Sequence, residues 1–362
     1  MAGALVDGAY RRGDVDVDRT TGRIAAVGLR EPGRGIAVPG LVDLQVNGFA
    51  GVDFLTADVD AYAHAGAALA RTGVVAYQPT LITSAVEQTV AAIATADKAR
   101  VNTSGARILG VHLEGPFLSP RRPGTHPVDL LRSPDVALLQ RLLDAGSVTQ
   151  VTLAPELPGA LDLADLCVRA DVIVSCGHSD ATAPEANAAF DRGARLVTHL
   201  FDAMRPFAHR DPGIASAALT REGITVGLIA DPSHLAPETV RLDFQAAGGR
   251  VALVTDALAA SGCPDGHFRL GEVGFDVLDG VARRGDGTLV GTTTTLIQGI
   301  RNAVAAGVAL DVAVNATTRT PAGFFPGADL GLLRRGDRAD IVVLDDSLDV
   351  RDIFHLGERV ER

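Results

Sequence analysis

The stretch ILGVHLEGPFLSP, residues 108–120, carries an apolar run from Ile108 to Val111 into His112 and Glu114, and Gly115 and Pro116 then stop it. A carboxylate at the end of a strand that reads as buried is costly unless something compensates its charge. The same pattern recurs along the chain. Short apolar, β-rich runs at 41–46, 74–78, 107–113, 148–153, 171–176, 195–200, 224–229 and 250–255 alternate with Ala-rich helical stretches such as VDAYAHAGAALART and AVEQTVAAIATADKA. Eight runs with helices between them predict an α/β chain folded as a (β/α)8 TIM-like barrel over residues 39–325. A doubly wound open sheet would carry a glycine-rich first turn, and no GxGxxG follows the first run. The flanks, 1–38 and 326–362, read as strands and turns. They predict a small β-sandwich domain formed from both termini.

Composition narrows the function. The chain has 362 residues, 47% hydrophobic, with a formal net charge of −11. That balance argues against a nucleic-acid or anionic membrane surface. No apolar run approaches the ~18 residues of a membrane span, and the first residues show no signal peptide. The three cysteines, Cys167, Cys176 and Cys263, are widely spaced and form no CxxC. They read as reduced thiols of a cytoplasmic protein. Cys176 stands beside a histidine motif, but a buried cysteine needs no ligand role. The single lysine, Lys98, lies in a helix-like stretch without a glycine-rich loop. Schiff-base chemistry, a P-loop and a carboxylated lysine between two metals are therefore set aside.

In a barrel of this kind chemistry sits where strands end. Gln45 and Asn47 end the first run, His112 and Glu114 the third, and His178 the fifth. His199 ends the sixth, Asp231 and His234 the seventh, and Asp256 the eighth. Taken singly, a strand-end histidine is more often a hydrogen-bonded core or surface residue than a ligand, and Asp256 is quite often just a helix cap. Together, one Glu and two His at one barrel face make a ligand set for a divalent metal with a position left open for water. Asp256 can then serve as a base. His112 shares the face of Glu114 by strand alternation, as a supporting partner or a packed core residue.

The ordered motifs PGLVDLQVNG, HLEGPFLSPRRPGTHP, GHSDAT, THLFDAM with HRDPG, IADPSH and TDALAA resemble the N-acetylglucosamine-6-phosphate deacetylase family of the amidohydrolase superfamily. The resemblance covers nearly the whole chain. It implies a barrel with a small β domain from both termini, and hydrolysis of the acetamide of N-acetylglucosamine-6-phosphate to glucosamine-6-phosphate and acetate. It implies Glu114, His178 and His199 as metal ligands, and Asp256 as general base and then acid. Thr125 and His126 would contact the substrate, His126 helping to polarise the amide carbonyl. Arg210 and His234 would bind the phosphate, His234 from a neighbouring subunit of a homodimer. Asp202, Ala203, Leu289, Val290 and Gly291 would line the sugar site.

Many amidohydrolases carry HxH at the end of the first strand and bind two metals. Gln45-Val46-Asn47 stands there in this chain, and neutral amides are poor ligands, so one divalent ion per site is expected. Zn²⁺ suits two His and one Glu best, while Fe²⁺, Mn²⁺ and Co²⁺ also fit. The family usually has Asn where this chain has Asp202, and Gly where it has Pro232. A carboxylate near a phosphate dianion is repulsive unless it turns away or pairs with Arg205 or Arg210. A deacetylase of another N-acyl amino sugar, phosphorylated or not, is the alternative substrate reading. A non-catalytic sugar-binding descendant is the alternative of another class, and it would need no general base.

Overall fold

The structure, a computed structural model, describes residues 3–28, 33–102 and 105–361. Residues 1–2, 29–32 and 362 of the expected terminal domain lie outside these. Eight parallel strands stand side by side in chain order: β1 (Leu41–Val46), β2 (Val74–Ile82), β3 (Val111–Glu114), β4 (Val148–Leu153), β5 (Ile173–Cys176), β6 (Leu196–Val197), β7 (Thr225–Leu228) and β8 (Val251–Leu253). Helices cover the outer face, so the strands are buried on both sides and read as nearly continuous apolar runs. Local chemistry starts the helices where the sequence turns polar. Asp58 accepts the Ala61 N–H at 2.8 Å ahead of the helix Val59–Ala70, and Thr182 with Glu185 forms a capping box ahead of Ala183–Asp191.

The barrel closes between β1 and β8 largely without a ladder. Asp256 N donates to Gln45 O at 3.0 Å and Asn47 N to Ala257 O at 2.7 Å. Below them the Asp43 carboxylate staples the seam. It accepts Thr255 Oγ1 at 2.6 Å, Thr255 N at 3.3 Å and Gln45 N at 3.2 Å. Lower still, Val42 N donates to Thr317 O and Leu253 N to Ala316 O, so one turn ties both edge strands. Burial with no cation beside it pushes the Asp43 carboxyl up to about 7.

A six-stranded sheet joins the termini in the order 9–12, 3–6, 36–39, 341–344, 350–355, 358–359. A hairpin, Val15–Asp18 with Arg23–Val27, lays Val15, Val17, Ile24 and Val27 against Ala4, Val6, Ala37 and Ile341. The expected β domain from both termini is built in this way.

Three details depart from the sequence reading. The run at 107–113 breaks at Gly110, whose φ of +124° and contact with Thr149 exclude a side chain. β2 continues through Pro79 to Ile82. A three-stranded antiparallel sheet, Gly266–Leu270, Val273–Leu278 and Val281–Arg283, follows β8. Its alternation is short and only half-buried, which left it unmarked in the sequence. The Gly271 N–H donates to Asp53 Oδ2 at 2.6 Å and fastens this sheet to the β1 loop.

One buried carboxylate generates a stability prediction. Asp243, on the helix Pro237–Ala247, is fully buried and neither of its oxygens has a hydrogen-bond partner. Burial pushes it from 3.8 up to about 7. A folded value above the unfolded one means the protonated form suits the fold. Stability is then full below the unfolded value and falls as pH rises toward 7. Asp243→Asn is expected to stabilise the protein at pH 8, on the order of 2–4 kcal/mol, and to leave it unchanged near pH 4. Equal thermal midpoints for variant and parent at pH 8 would contradict this.

Candidate active site

Glu114 is the last residue of β3, and the chain then turns through Gly115. His178 follows β5 and His199 follows β6, each in the left-handed backbone region at φ 47° and 28°. Asp256, after β8, and Ala203 share that region at 51° and 48°. Such conformations cost on the order of 1–3 kcal/mol each in non-glycine residues and gather at functional sites. Here they bend the chain so that the side chains turn into the barrel mouth.

Three atoms converge there. His199 Nε2 is 2.9 Å and His178 Nε2 3.1 Å from Glu114 Oε1, and the two nitrogens are 3.1 Å apart. All three residues are buried. His178 Nδ1 lies 3.1 Å from the Arg122 carbonyl oxygen, which only accepts. Nδ1 therefore carries the proton, and the Nε2 lone pair faces Glu114. Two imidazole lone pairs and a carboxylate oxygen aimed at one point fit a divalent cation. A proton on His199 can also balance the charge. Burial opposes an imidazolium there, but the Glu114 hydrogen bond and charge raise His199 to about 9. Burial likewise works against an ionised Glu114, and the two histidines still hold it well below the carboxylate range.

Asp256 stands beside this group. Its Oδ1 accepts Asn47 Nδ2 at 2.6 Å and Gln45 Nε2 at 3.1 Å, and Gln45 Nε2 also reaches Glu114 Oε1 at 3.2 Å. The two amides at the end of β1 thus orient the carboxylates, a task the sequence did not assign to them. Burial and the Glu114 charge raise the Asp256 carboxyl. His126 Nδ1 accepts the Thr83 N–H at 3.2 Å, so Nε2 holds the ring proton in the neutral form. Burial depresses His126 to about 3, leaving it a neutral N–H donor.

Glu114, His178, His199, Asp256, Asn47 and His126 line a cavity of about 190 Å³ with Thr125, Asp202, Ala203, His234, Leu289 and Gly291, and Leu270 and Thr288 also border it. Leu270 comes from the three-stranded sheet and had no signal in the sequence.

Two expectations, those for the subunit that supplies His234 and for Val290, are corrected, and Arg210 and Asp202 are placed. His234 lines the cavity of its own chain, with Nδ1 3.6 Å from Asp231 Oδ1, because the turn after β7 folds over the barrel mouth. Arg210 is exposed, on the tight turn between Ala208 and Asp211, and is not among the residues that line the cavity. Val290 is fully buried in the core, between Leu289 and Gly291, which do line the cavity. Asp202 pairs with neither arginine. Its Oδ2 is buried without a partner, while Arg205 binds Asp211 and Asp180. His112 is fully buried, with Nδ1 3.1 Å from Thr80 Oγ1 and Nε2 2.7 Å from Thr152 Oγ1. It anchors a hydroxyl network beneath the site.

Known proteins resemble the chain along nearly its whole length. The amidohydrolase family pattern matches residues 36–360. The chain is 35% identical over 338 residues to an N-acetylgalactosamine-6-phosphate deacetylase of Escherichia coli O157:H7, covering 92% of this chain and 89% of that one. It is 37% identical over 344 residues to an N-acetylglucosamine-6-phosphate deacetylase of Danio rerio, covering 90% and 85%. A mutant of the N-acetyl-D-glucosamine-6-phosphate deacetylase from Mycobacterium smegmatis, solved with N-acetyl-D-glucosamine-6-phosphate, superposes with a TM-score of 0.94 at 37% identity, covering 100% and 98%. The strand-end residues, the terminal β domain and these likenesses together make the chain a member of the amidohydrolase family, in its N-acetylglucosamine-6-phosphate deacetylase branch.

Proposed function

We propose that the protein hydrolyses the acetamide of N-acetylglucosamine-6-phosphate, releasing glucosamine-6-phosphate and acetate. The observation that carries this reading is the convergence of Glu114 Oε1, His178 Nε2 and His199 Nε2 in one cavity beside Asp256. Those three residues would hold one divalent ion, Zn²⁺ by preference for an N₂O set, with Fe²⁺, Mn²⁺ or Co²⁺ as substitutes. When bound, such an ion polarises the amide carbonyl and makes water a nucleophile near neutral pH.

The chain's own groups do the rest. Asp256, fixed by Asn47 and Gln45 through Oδ1, takes the proton of the attacking water and returns it to the departing nitrogen. Its raised carboxyl suits both halves of that exchange. Neutral His126 offers Nε2–H to the carbonyl oxygen as charge develops. His234 is the cationic candidate for the phosphate. Burial opposes its charge, but Asp231 and Asp202 raise it. Thr125, Ala203, Leu289 and Gly291 would bound the sugar.

A second substrate reading has its own support. The described residues that line the cavity include no arginine or lysine, and Asp202 presents an unpartnered carboxylate oxygen. Both features favour an N-acyl sugar without a phosphate dianion. We further propose a cytoplasmic homodimer. The exposed Arg210 would reach a phosphate only if pairing carried it to a neighbouring cavity.

Amine release from N-acetylglucosamine-6-phosphate and from N-acetylglucosamine, measured side by side on metal-replete protein, tests the reading. A strong preference for the phosphorylated sugar is expected, and turnover of neither would reject N-acetylglucosamine-6-phosphate as the substrate and leave the other N-acyl amino sugars to be tried. Asp202→Asn should raise kcat/KM severalfold on the phosphorylated sugar alone. An unchanged ratio between the two sugars would remove Asp202 from the phosphate side. Asp256→Asn is expected to lower kcat by ~10²–10⁴-fold with the metal retained, and near-normal turnover would refute its role. Metal analysis should return one tightly bound ion per chain, and two would sink the single-ion assignment.

A further inference from the structure

His178 and His199 face Glu114 alike, but their outer nitrogens do not share a fate. His199 Nδ1 is buried without a partner, whereas His178 Nδ1 donates to the Arg122 carbonyl at 3.1 Å. The position of that carbonyl therefore sets the ring of one of the proposed ligands. A ligand's outer hydrogen bond fixes its tautomer and orientation, and losing such a partner commonly weakens metal binding 10–100-fold.

The Arg122 backbone N–H donates to Ser119 O at 2.9 Å, and what holds the Arg122 side chain is Asp180. Its Oδ1 accepts Arg122 Nε at 2.8 Å, and its Oδ2 accepts Arg205 Nη1 at 3.3 Å and Arg121 Nη1 at 3.4 Å. The Asp180 N–H donates to Glu156 Oε1 at 2.7 Å, and Ser179 Oγ donates to Glu156 Oε2 at 2.7 Å, which anchors the Asp180 backbone to the β4 loop. Arg205 in turn grips Asp211 through Nε at 2.9 and 3.0 Å. The Asp180 side chain is only 10% exposed.

Three loops thus meet at one carboxylate. The loop after β3 enters through Arg122 and carries Thr125 and His126. The loop after β5 supplies Asp180 itself, two residues after His178. The loop after β6 enters through Arg205 and carries Asp202 and Ala203. All four of those cavity residues, with His178, sit within a few residues of the knot. The ordinary reading is a set of surface ion pairs contributing about 0–1 kcal/mol each. That reading accounts for the arginines. It does not account for a largely buried acceptor whose partner's backbone receives the proton of a ligand histidine.

We propose that Asp180 is a positioning residue for the metal centre: by holding Arg122 it fixes the carbonyl that orients His178, and by holding Arg205 it ties the β6 loop to the same point. The inference rests on the metal-site reading above but not on the identity of the substrate.

The test is Zn²⁺ affinity of the full chain, measured by competition with a chelator, in Asp180→Asn, Arg122→Ala and the double variant. Arg122→Ala leaves the carbonyl in the chain but releases its clamp. Glu87→Gln is the control, since it breaks the exposed Arg141–Glu87 pair on the barrel exterior. The Kd for Zn²⁺ is expected to rise 10–100-fold in each single variant and no further in the double variant, because both act through one link. The control should bind like the parent, and metal-free thermal midpoints of Arg122→Ala and parent should agree. Parent-like Zn²⁺ affinity in Arg122→Ala, or an equal loss in Glu87→Gln, would overturn the proposal. If Asp180→Asn fails to fold, Arg122→Ala alone decides in the same way. A parent protein that binds no Zn²⁺ would instead remove the metal reading, and the positioning role with it.

Discussion

A carboxylate fully enclosed at the mouth of a barrel has to be balanced, and Glu114 is balanced by two imidazoles that reach it from two other strands. Neither pairing forms unless β3, β4, β5 and β6 lie in consecutive order with their ends level. The parallel ladder supplies that order, with Glu114 beside Thr152 of β4 and Cys176 of β5 beside Val197 of β6. Leaving one member of such a group without the others would strand a buried charge, which costs several kcal/mol. The site and the barrel therefore constrain each other.

The first and last strands are where this order is weakest. Asp43 bridges them with a side chain where a ladder would otherwise run, accepting from Thr255 and Gln45. That seam delivers Asp256 next to Gln45 and Asn47, so the proposed base is aligned by the contacts that close the barrel. Strained backbone completes the arrangement. His178, His199, Ala203 and Asp256 turn inward through left-handed conformations, and the hydrogen bonds around them hold those turns.

Much of this was legible before folding. Strand ends are marked by the change from apolar run to polar residue, which places Glu114, His178, His199 and Asp256 on one rim. Direction within a loop was not legible. His234 lines its own cavity and Arg210 stands exposed outside that lining, although both sit in loops of similar polarity. Val290 is buried in the core between two residues that line the cavity, and the sequence there carries no regular pattern that would mark its direction. Leu270 reaches the site from a small sheet whose alternation is too short to mark it. Gln45 and Asn47 were visible at the end of β1, but their amides act by donating to Asp256, a relation between residues 209 and 211 positions apart.

The sequence by itself determined the barrel, its terminal β domain and the chemical types at each strand end, because hydrophobic periodicity and strand termination are local properties. Only the tertiary structure decided which of those groups meet. It made His126 a neutral donor through Thr83, left Asp202 Oδ2 without a partner, and gathered Arg122, Asp180 and Arg205 at one point. Each of these depends on hydrogen bonds a few ångströms long between loops far apart in the chain. Such bonds exist only once the ladder has fixed where every loop begins.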